Sequence, residues 1–292
     1  MIWQNTNEQL SKIFKNGRLP TMVYINKQES ERDKVERPLH KHDSVCEIVL
    51  VYKGSGTYQL GSRRYAVREG DIIFYNQGDL HEVSSSLDTE IGDFCIGIAN
   101  LQRINMPPNH LISAQESPVR TSGRFYHTLY SLCEQMYAGD NLNHYSQMSV
   151  QLLCASFILT ALQIPEPADE PKQQSRDEQF MGRILDYLNA NFQENIVLGD
   201  LAAALGCSAS YISHLFKKST GTSPIQYVIR RRMGLAQTLL ISTDYPATHI
   251  ATLVGYENTN YFISLFTKVV GMTPLRYRKF YLKELKGVRN QS

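Results

Sequence analysis

The chain has 292 residues, 42% hydrophobic and 20% charged, the balance of a globular protein long enough for two cores. No run approaches the ~18 consecutive apolar residues a membrane crossing needs, and residues 1–10 carry Asn, Gln and Glu where a secretory leader is apolar, so a cytoplasmic protein without a membrane partner is expected. The net charge of +2 is unevenly divided: from Arg176 onward 14 Lys and Arg face 8 Asp and Glu, while 16 basic and 20 acidic residues precede it, so only the C-terminal part is expected to meet a polyanion.

Residues 20–100 read as short strands. The stretches EIVLVYKG, GTYQLGSRRYAV, GDIIFYNQG, HEVSSS and DFCIGIA are rich in Val, Ile, Tyr and Phe, and Gly54, Gly56, Gly61, Gly70 and Gly78 punctuate them at barrel-like spacing. Helical periodicity follows. Phe125, Leu129, Leu132, Cys133, Met136 and Tyr137 share one face, and QMSVQLLCASFILTALQI is apolar on nearly all sides, so it is expected to be buried. Residues 165–177, with three prolines and no apolar periodicity, read as a linker. Cys46, Cys95, Cys133, Cys154 and Cys207 are odd in number and lack CxxC spacing, as expected for reduced, mostly buried thiols.

Beyond the linker the pattern is helical and repeats. Leu201, Ala202, Leu205 and Gly206 recur as Ile250, Ala251, Val254 and Gly255 at an offset of 49; Tyr211, Leu215, Phe216, Lys218, Gly221, Pro224 and Tyr227 recur at an offset of 50. In each copy a short helix stops at a glycine (Gly206, Gly255), Ser208 or Asn258 caps a second helix, and Ser223-Pro224 or Thr273-Pro274 opens a third. That is a helix-turn-helix unit, twice. The second helices leave Ser210, Ser213, His214, Lys217 and Lys218 outward in the first copy, and Thr259, Asn260, Ser264 and Lys268 in the second. Short polar side chains suit base edges and lysines suit phosphates. IRRRM and RYRKFYLKELK add further basic residues, and a connecting helix over about residues 224–241 would span ~27 Å, enough to set two reading helices about one DNA turn apart.

The stretch GYENTNYFISLFTKVVGMTPLRYR resembles the signature of the AraC/XylS family of bacterial transcription regulators. The resemblance runs from Asp177 to about Lys283 and implies a seven-helix DNA-binding domain, with Ser210, Ser213 and His214 facing bases in the first unit and Asn258, Thr259, Asn260 and Ser264 in the second. Many relatives carry Arg at the positions of His214 and Ser264, so the base preference does not carry over.

The N-terminal half is similar to a cupin barrel, as in a large subgroup of that family. His40-x-His42-x4-Glu47-x6-Gly54 fits the first cupin motif and GDIIFYNQGDLH the second, ending at His81, with Asn76 where cupins usually carry proline. The resemblance brings His40, His42, Glu47 and His81 together as a donor set that suits a divalent metal such as zinc, manganese, iron or nickel. The same four residues also read as the polar lining of a sensor pocket, where with Tyr52 and Tyr58, and with Arg63 or Tyr75 if they point inward, they suit a small effector, first a sugar and second a small acid.

The expected fold class is therefore α+β in two domains. Residues 1–164 form a cupin-like ligand-sensing and dimerisation domain (barrel about 20–100, helices about 123–164); residues 178–292 form an all-α DNA-binding domain with two helix-turn-helix units. Residues 1–20 are a possible arm over the pocket. The expected function is a non-enzymatic, effector-controlled transcription regulator, with double-stranded DNA, a second copy of the chain and, for an activator, RNA polymerase as partners. A metal-dependent cupin enzyme with a DNA-binding tail, and a constitutive DNA-binding protein whose barrel only dimerises, are the alternatives. No catalytic residue is assigned.

Overall fold

The structure is a computed structural model that describes residues 6–28, 38–61, 63–84, 91–139, 143–167 and 176–289. Seven strands form one antiparallel sheet folded on itself: β1 (Thr21–Gln28), β2 (Cys46–Leu60), β3 (Arg63–Arg68), β4 (Asp71–Tyr75), β5 (His81–Ser84), β6 (Ile91–Ala99) and β7 (Val119–Thr121). The path runs β1-β6-β2-β4-β7, and β3 and β5 pair with the far half of β2. Two of the expected strands, EIVLVYKG and GTYQL, are thus one. β2 continues through the glycines and changes partners there: Cys46–Gly54 pairs with β6, while Ser55–Leu60 pairs with β3. Gly54, at φ +73°, supplies a bend that a residue with a β-carbon resists.

Side-chain alternation then sorts β2 and its neighbours onto two faces. Cys46, Ile48, Leu50, Ile72, Phe74, Phe94, Ile96 and Ile98 point outward against α2 (Tyr126–Tyr137) and α3 (His144–Ala161). Val49, Val51, Ile73 and Tyr75 point inward with Tyr58, Val67 and Ile91. α3 starts on a reciprocal capping box between Asn143 and Ser146 and buries Val150, Cys154, Phe157, Ile158 and Ala161. Contrary to expectation it is not covered all round, since Tyr145 is 87%, Met148 59% and Leu152 52% exposed. The N-terminal arm is anchored in the part described: α1 (Thr6–Ser11) leads to Phe14, fully buried beneath the sheet and bridged to Arg103, so residues 14–18 do not form a free flap over the barrel. Residues 1–5 lie outside the described residues.

The C-terminal part is seven helices among the described residues: α4 (Arg176–Asn191), α5 (Leu198–Leu205), α6 (Ala209–Thr220), α7 (Pro224–Ser242), α8 (Ala247–Leu253), α9 (Thr259–Val270) and α10 (Pro274–Arg289). α4 begins two residues inside the expected linker, whose residues 168–175 lie outside the described residues. The local signals operate as read. Gly206, Gly221 and Gly271 end α5, α6 and α9 in the left-handed conformation, and Ser208 and Asn258 accept the Tyr211 and Tyr261 amides. α8 stops one residue earlier than expected, at Val254, with Gly255 following at φ +88°. α7 opens on Pro224 with Ser223 and Gln226 as a capping box, and its 19 residues span ~28 Å.

α7 belongs to both cores. Its first half gives Tyr227 and Val228 to the core shared with Met181, Ile184, Leu188, Leu201, Ile212 and Phe216; its second half gives Met233, Ala236 and Leu240 to that of Ile250, Val254, Phe262 and Phe266. Among the described residues the first core also takes in Leu39, 1% exposed, from the other half of the molecule. Leu39→Ala is expected to destabilise the first helical core by about 2–4 kcal/mol. Urea unfolding read at Tyr227, which packs there, tests this; a loss under about 0.5 kcal/mol would mean that Leu39 is not seated there in solution.

Candidate functional site

Two surfaces carry the chemistry. The first is the outward side of α6 and α9. Ser210, His214, Lys217 and Lys218 on α6 are exposed and Ser213 half-buried; Asn258, Asn260, Ser264 and Lys268 at and on α9 are exposed and Thr259 half-buried. The amphipathic sequence does this: Ile212, Leu215, Phe216, Phe262, Phe266 and Val270 occupy the inner sides, so the polar residues between them are turned to the surface, where Lys218 stands 3.9 Å from Asp177. Each helix has exposed polar side chains in its first turns and lysine near its end. The arginines of IRRRM, read as part of this basic surface, are used internally instead. Arg230 pairs with Glu82; Arg231 is buried with its guanidinium 4.6 Å from the Phe192 ring centre; Arg232 donates to the carbonyls of Phe192, Glu194 and Gly255. Arg278 likewise donates to the carbonyls of Leu240, Thr243 and Tyr245. A guanidinium offers five fixed donors, so it is the side chain that ties off helix-end carbonyls from a distance.

The second surface lies at one end of the barrel. His40, His42, Glu47 and His81 converge there, and their ligand-type atoms all lie within 4.8 Å of one another. Backbone pairing sets them. Residues His40 and His81 form a bridge, each amide donating to the other's carbonyl at 3.0 and 2.9 Å, and Gly78 N–H donates to the His42 carbonyl. The Nδ1 atoms of His40 and His81 stand 3.0 and 2.9 Å from the carbonyls of Pro38 and Asp79. A carbonyl only accepts, so each Nδ1 carries a proton, and it is Nε2 that each ring turns toward the cluster. Asn76, in the place of the cupin proline, is explained by its bonds: its side chain accepts from the Leu111 and Ile112 amides and its N–H donates to Asp79, three links that tie down the loop before His81.

Glu47, 2% exposed, is the charge at the centre. His81 Nε2 is 2.8 Å from its Oε2, and His42 Nε2 3.3 Å from its Oε1. Tyr24 and the Cys95 thiol also donate to Oε1. Burial pushes the Glu47 carboxyl up, but the charge and hydrogen bond of His81, with the close approach of His42, outweigh burial and hold it well below the usual carboxylate range. Tyr24 reaches it because its cross-strand neighbour is Gly97, where a β-carbon would overlap the Tyr24 ring.

Tyr75 stacks on His81 at 4.1 Å between ring centres. The Tyr75 hydroxyl is buried without a hydrogen-bond partner among the described residues; so is His42 Nε2, whose approach to Glu47 is close but misaligned for a hydrogen bond. Buried polar groups nearly always find a partner, and here two without one stand around a single carboxylate. Tyr58 donates to Asp93 at 2.7 Å, further along the same interior. Burial raises the phenols of Tyr58 and Tyr75 well above their ordinary value, with Asp93 and Glu47 adding, so both remain neutral hydroxyls. Tyr52, expected in this group, is on the opposite face: its ring packs on Phe94 and Tyr130 beneath α2 and its hydroxyl donates to the Gln28 carbonyl. The alternation along β2 that turns Glu47 inward turns Tyr52 outward. Arg63 also points away, to Glu178 at 3.5 Å. Tyr24, Asp93 and Cys95 were not singled out from the sequence; their signal was the period of two along β1 and β6, readable only once the register with Glu47 is known.

The two surfaces are joined. Leu80 packs with Leu39 on the first helical core, Glu82, 5% exposed, pairs with Arg230 of α7, and the Arg64 guanidinium lies against Gly221 at the end of α6. Mid-helix, Gly234 leaves room for the passing backbone: a β-carbon there would overlap the Leu39 carbonyl.

Comparison with known proteins places both halves. Residues 24–158 match the model of the AraC-like ligand binding domain, and residues 201–279 a helix-turn-helix domain. The chain is 30% identical over 284 residues to the uncharacterized HTH-type transcriptional regulator YdiP of Escherichia coli (strain K12), covering 95% of this chain and 91% of that protein. It is 25% identical to the HTH-type transcriptional regulator YdeC of Bacillus subtilis (strain 168), also uncharacterized, over 83% of this chain and 86% of that one. It is 25% identical to the HTH-type transcriptional activator RhaR of Enterobacter sp. (strain 638), over 82% and 86%.

The exposed faces of α6 and α9 generate two expectations. His214→Ala and Asn260→Ala are each expected to reduce discrimination between a target and random DNA by about 1–3 kcal/mol, measured as the ratio of the two affinities; equal weakening on both DNAs contradicts base contact. Replacing Lys217 and Lys218 by Ala is expected to flatten the slope of log K against log salt by roughly one per lysine, and an unchanged slope rejects phosphate contact there.

Proposed function

This chain belongs to the AraC/XylS family of bacterial transcription regulators, and we propose that it is an effector-switched one, with the polar cluster at the end of its barrel as the input. The observation that carries this reading is the attachment of that cluster to α7: Leu39 and Glu82, each next in sequence to a histidine of the cluster, contact the helix that holds both helix-turn-helix units. An effector alters DNA binding only by favouring one arrangement over another, and a contact at α7 touches the spacing of both reading helices at once.

The assignments follow from that reading. Ser210, Ser213, His214, Asn258, Thr259, Asn260 and Ser264 read bases, and Lys217, Lys218 and Lys268 hold phosphates. Residues 1–164 sense and dimerise, 165–177 link, and 178–292 bind DNA. The organic effector is a small polar molecule, a sugar or small acid, held by His40, His42, Glu47 and His81 with the Tyr58 and Tyr75 hydroxyls, in a pocket that binds rather than reacts. The exposed side chains of α3, Tyr145, Met148 and Leu152, form the contact with a second copy. The protein works in the cytoplasm, and contacts RNA polymerase where it activates.

Selection from random double-stranded DNA by the full chain tests the reading. Enriched sequences are expected to contain two elements with centres about 10–10.5 base pairs apart; a single element, or no enrichment, contradicts a two-unit reader. A thermal-shift screen of the same chain against sugars and organic acids is expected to find a stabilising compound, and its effect should vanish in Tyr75→Phe if that hydroxyl binds it.

A further inference from the structure

We propose that Arg64, on strand β3 of the barrel, holds a phosphate of the DNA backbone just outside the bases read by α6, so that the barrel is itself part of the DNA-binding surface. This rests on the reading of α6 as a DNA-facing helix and adds to it a residue from the half of the chain that is acidic overall.

Helix geometry sets the position. Ser210, His214, Lys217 and Gly221 follow one another at steps of four, three and four residues, which in a helix is one line along one side. The first three are exposed, and Gly221 closes the line as the left-handed C-cap of α6. At that closing position stands the Arg64 guanidinium: a β-carbon on Gly221 would overlap its Nη1. α6 has 12 residues and is ~18 Å long, more than the ~12 Å width of a major groove. With its first turns on base edges, its last turn therefore lies beside the backbone, and Arg64 lies there with it.

Strand geometry delivers the side chain. Tyr65 and Val67 of β3 pack into the barrel interior, so Arg64, Ala66 and Arg68 face outward, and all three are exposed. The adjoining Arg63, 3.5 Å from Glu178, holds the end of the β2–β3 hairpin beside the start of α4.

Charge and donor geometry both fit a phosphate. Among the described residues at this end of α6, Arg63, Arg64, Lys217 and Lys218 outnumber Asp177 and Glu178, and those carboxylates stand 3.9 Å from Lys218 and 3.5 Å from Arg63. A cation suits the open carbonyls at a helix C-terminus, and a guanidinium placed there still has planar donors to offer a phosphate. Neither α6 nor α9 contains arginine, so here the planar donor comes from the barrel.

Affinity of the full chain for duplex DNA, measured across a range of salt on a selected sequence and on random DNA, tests this. Arg64→Gln is expected to weaken binding about tenfold at low salt and to flatten log K against log salt by roughly one, on both DNAs alike. Arg64→Lys keeps the charge and is expected to keep the slope. Arg68→Gln removes the same charge from the same side of β3, four residues further along, and is expected to change neither quantity. Single neutral methylphosphonates in the selected duplex locate the contact: one position beside the element read by α6 should weaken binding by the native chain and not weaken Arg64→Gln further. Arg64 is exposed, so Arg64→Gln is expected to match the native chain in urea unfolding.

An unchanged slope in Arg64→Gln overturns the phosphate contact and leaves Arg64 as a link between barrel and α6. Equal flattening by Arg64→Gln and Arg68→Gln means a diffuse field in place of a contact, and overturns it as well. So does a methylphosphonate scan in which the native chain and Arg64→Gln lose affinity at the same positions. A chain that selects no sequence overturns the regulator reading, while the slopes on random DNA still decide Arg64, because a phosphate contact carries no sequence information.

Discussion

The molecule's organisation depends on a short two-stranded pairing, His40 with His81, seen from its two sides. Two backbone hydrogen bonds fix those residues against each other. Because extended chain alternates, fixing that pair also fixes what lies behind it. The barrel side then presents imidazoles to Glu47, and the other side presents Leu39, Leu80 and Glu82 to the helical domain. A slip of one residue in this pairing would exchange the two sets, leaving apolar side chains at the carboxylate and histidines in a hydrophobic core. The polar cluster and the inter-domain contact are consequently one feature and cannot be altered separately at the level of the backbone.

The energetics of the two sides differ in kind. Leu39 contributes through burial, which is indifferent to small rotations and holds the domains together. Glu47 lies nearly free of solvent, a state that costs a carboxylate several kcal/mol unless its oxygens are engaged. Its neighbours therefore have to keep their places: Tyr24 over Gly97, Cys95 alongside, His42 and His81 in front. The pair Glu82 and Arg230 is directional too, and mostly buried on the carboxylate side. A nondirectional seat with directional links around it permits a change in the polar groups to be felt without the domains parting.

Charge is divided by role in the helical half. Arginine, with its planar set of donors, is spent on carbonyls at helix ends and on the barrel: Arg230, Arg232 and Arg278 all bond within the protein. The outward faces of α6 and α9 keep small polar residues, an imidazole and lysines. On the proposed reading, base discrimination there would rest on amide, hydroxyl and imidazole groups, with ammonium groups at the helix ends for the phosphates.

Much was legible in the sequence because its signals are local. Glycine at a left-handed position, Ser or Asn accepting an amide two or three residues on, and proline at a first helical position act within a turn of the chain, so the two helix-turn-helix units, their caps and their outward residues could be placed without tertiary information. The convergence of His40, His42, Glu47 and His81 was legible for a different reason, motif spacing carried by a family resemblance. What only the tertiary structure decided was relation across distance. Tyr52 was assigned to the wrong face because β2 runs unbroken through its glycines and its inward phase is set by pairing with β4 and β6. Tyr24, Asp93 and Cys95 entered the site through that same register. Arg230 and Arg232 of IRRRM look like free cations in a sequence and prove to be consumed by carbonyls and a carboxylate from segments 23 to 148 residues away. Local chemistry is written in neighbouring residues, whereas the partner of a long side chain is chosen by the packing of the whole chain.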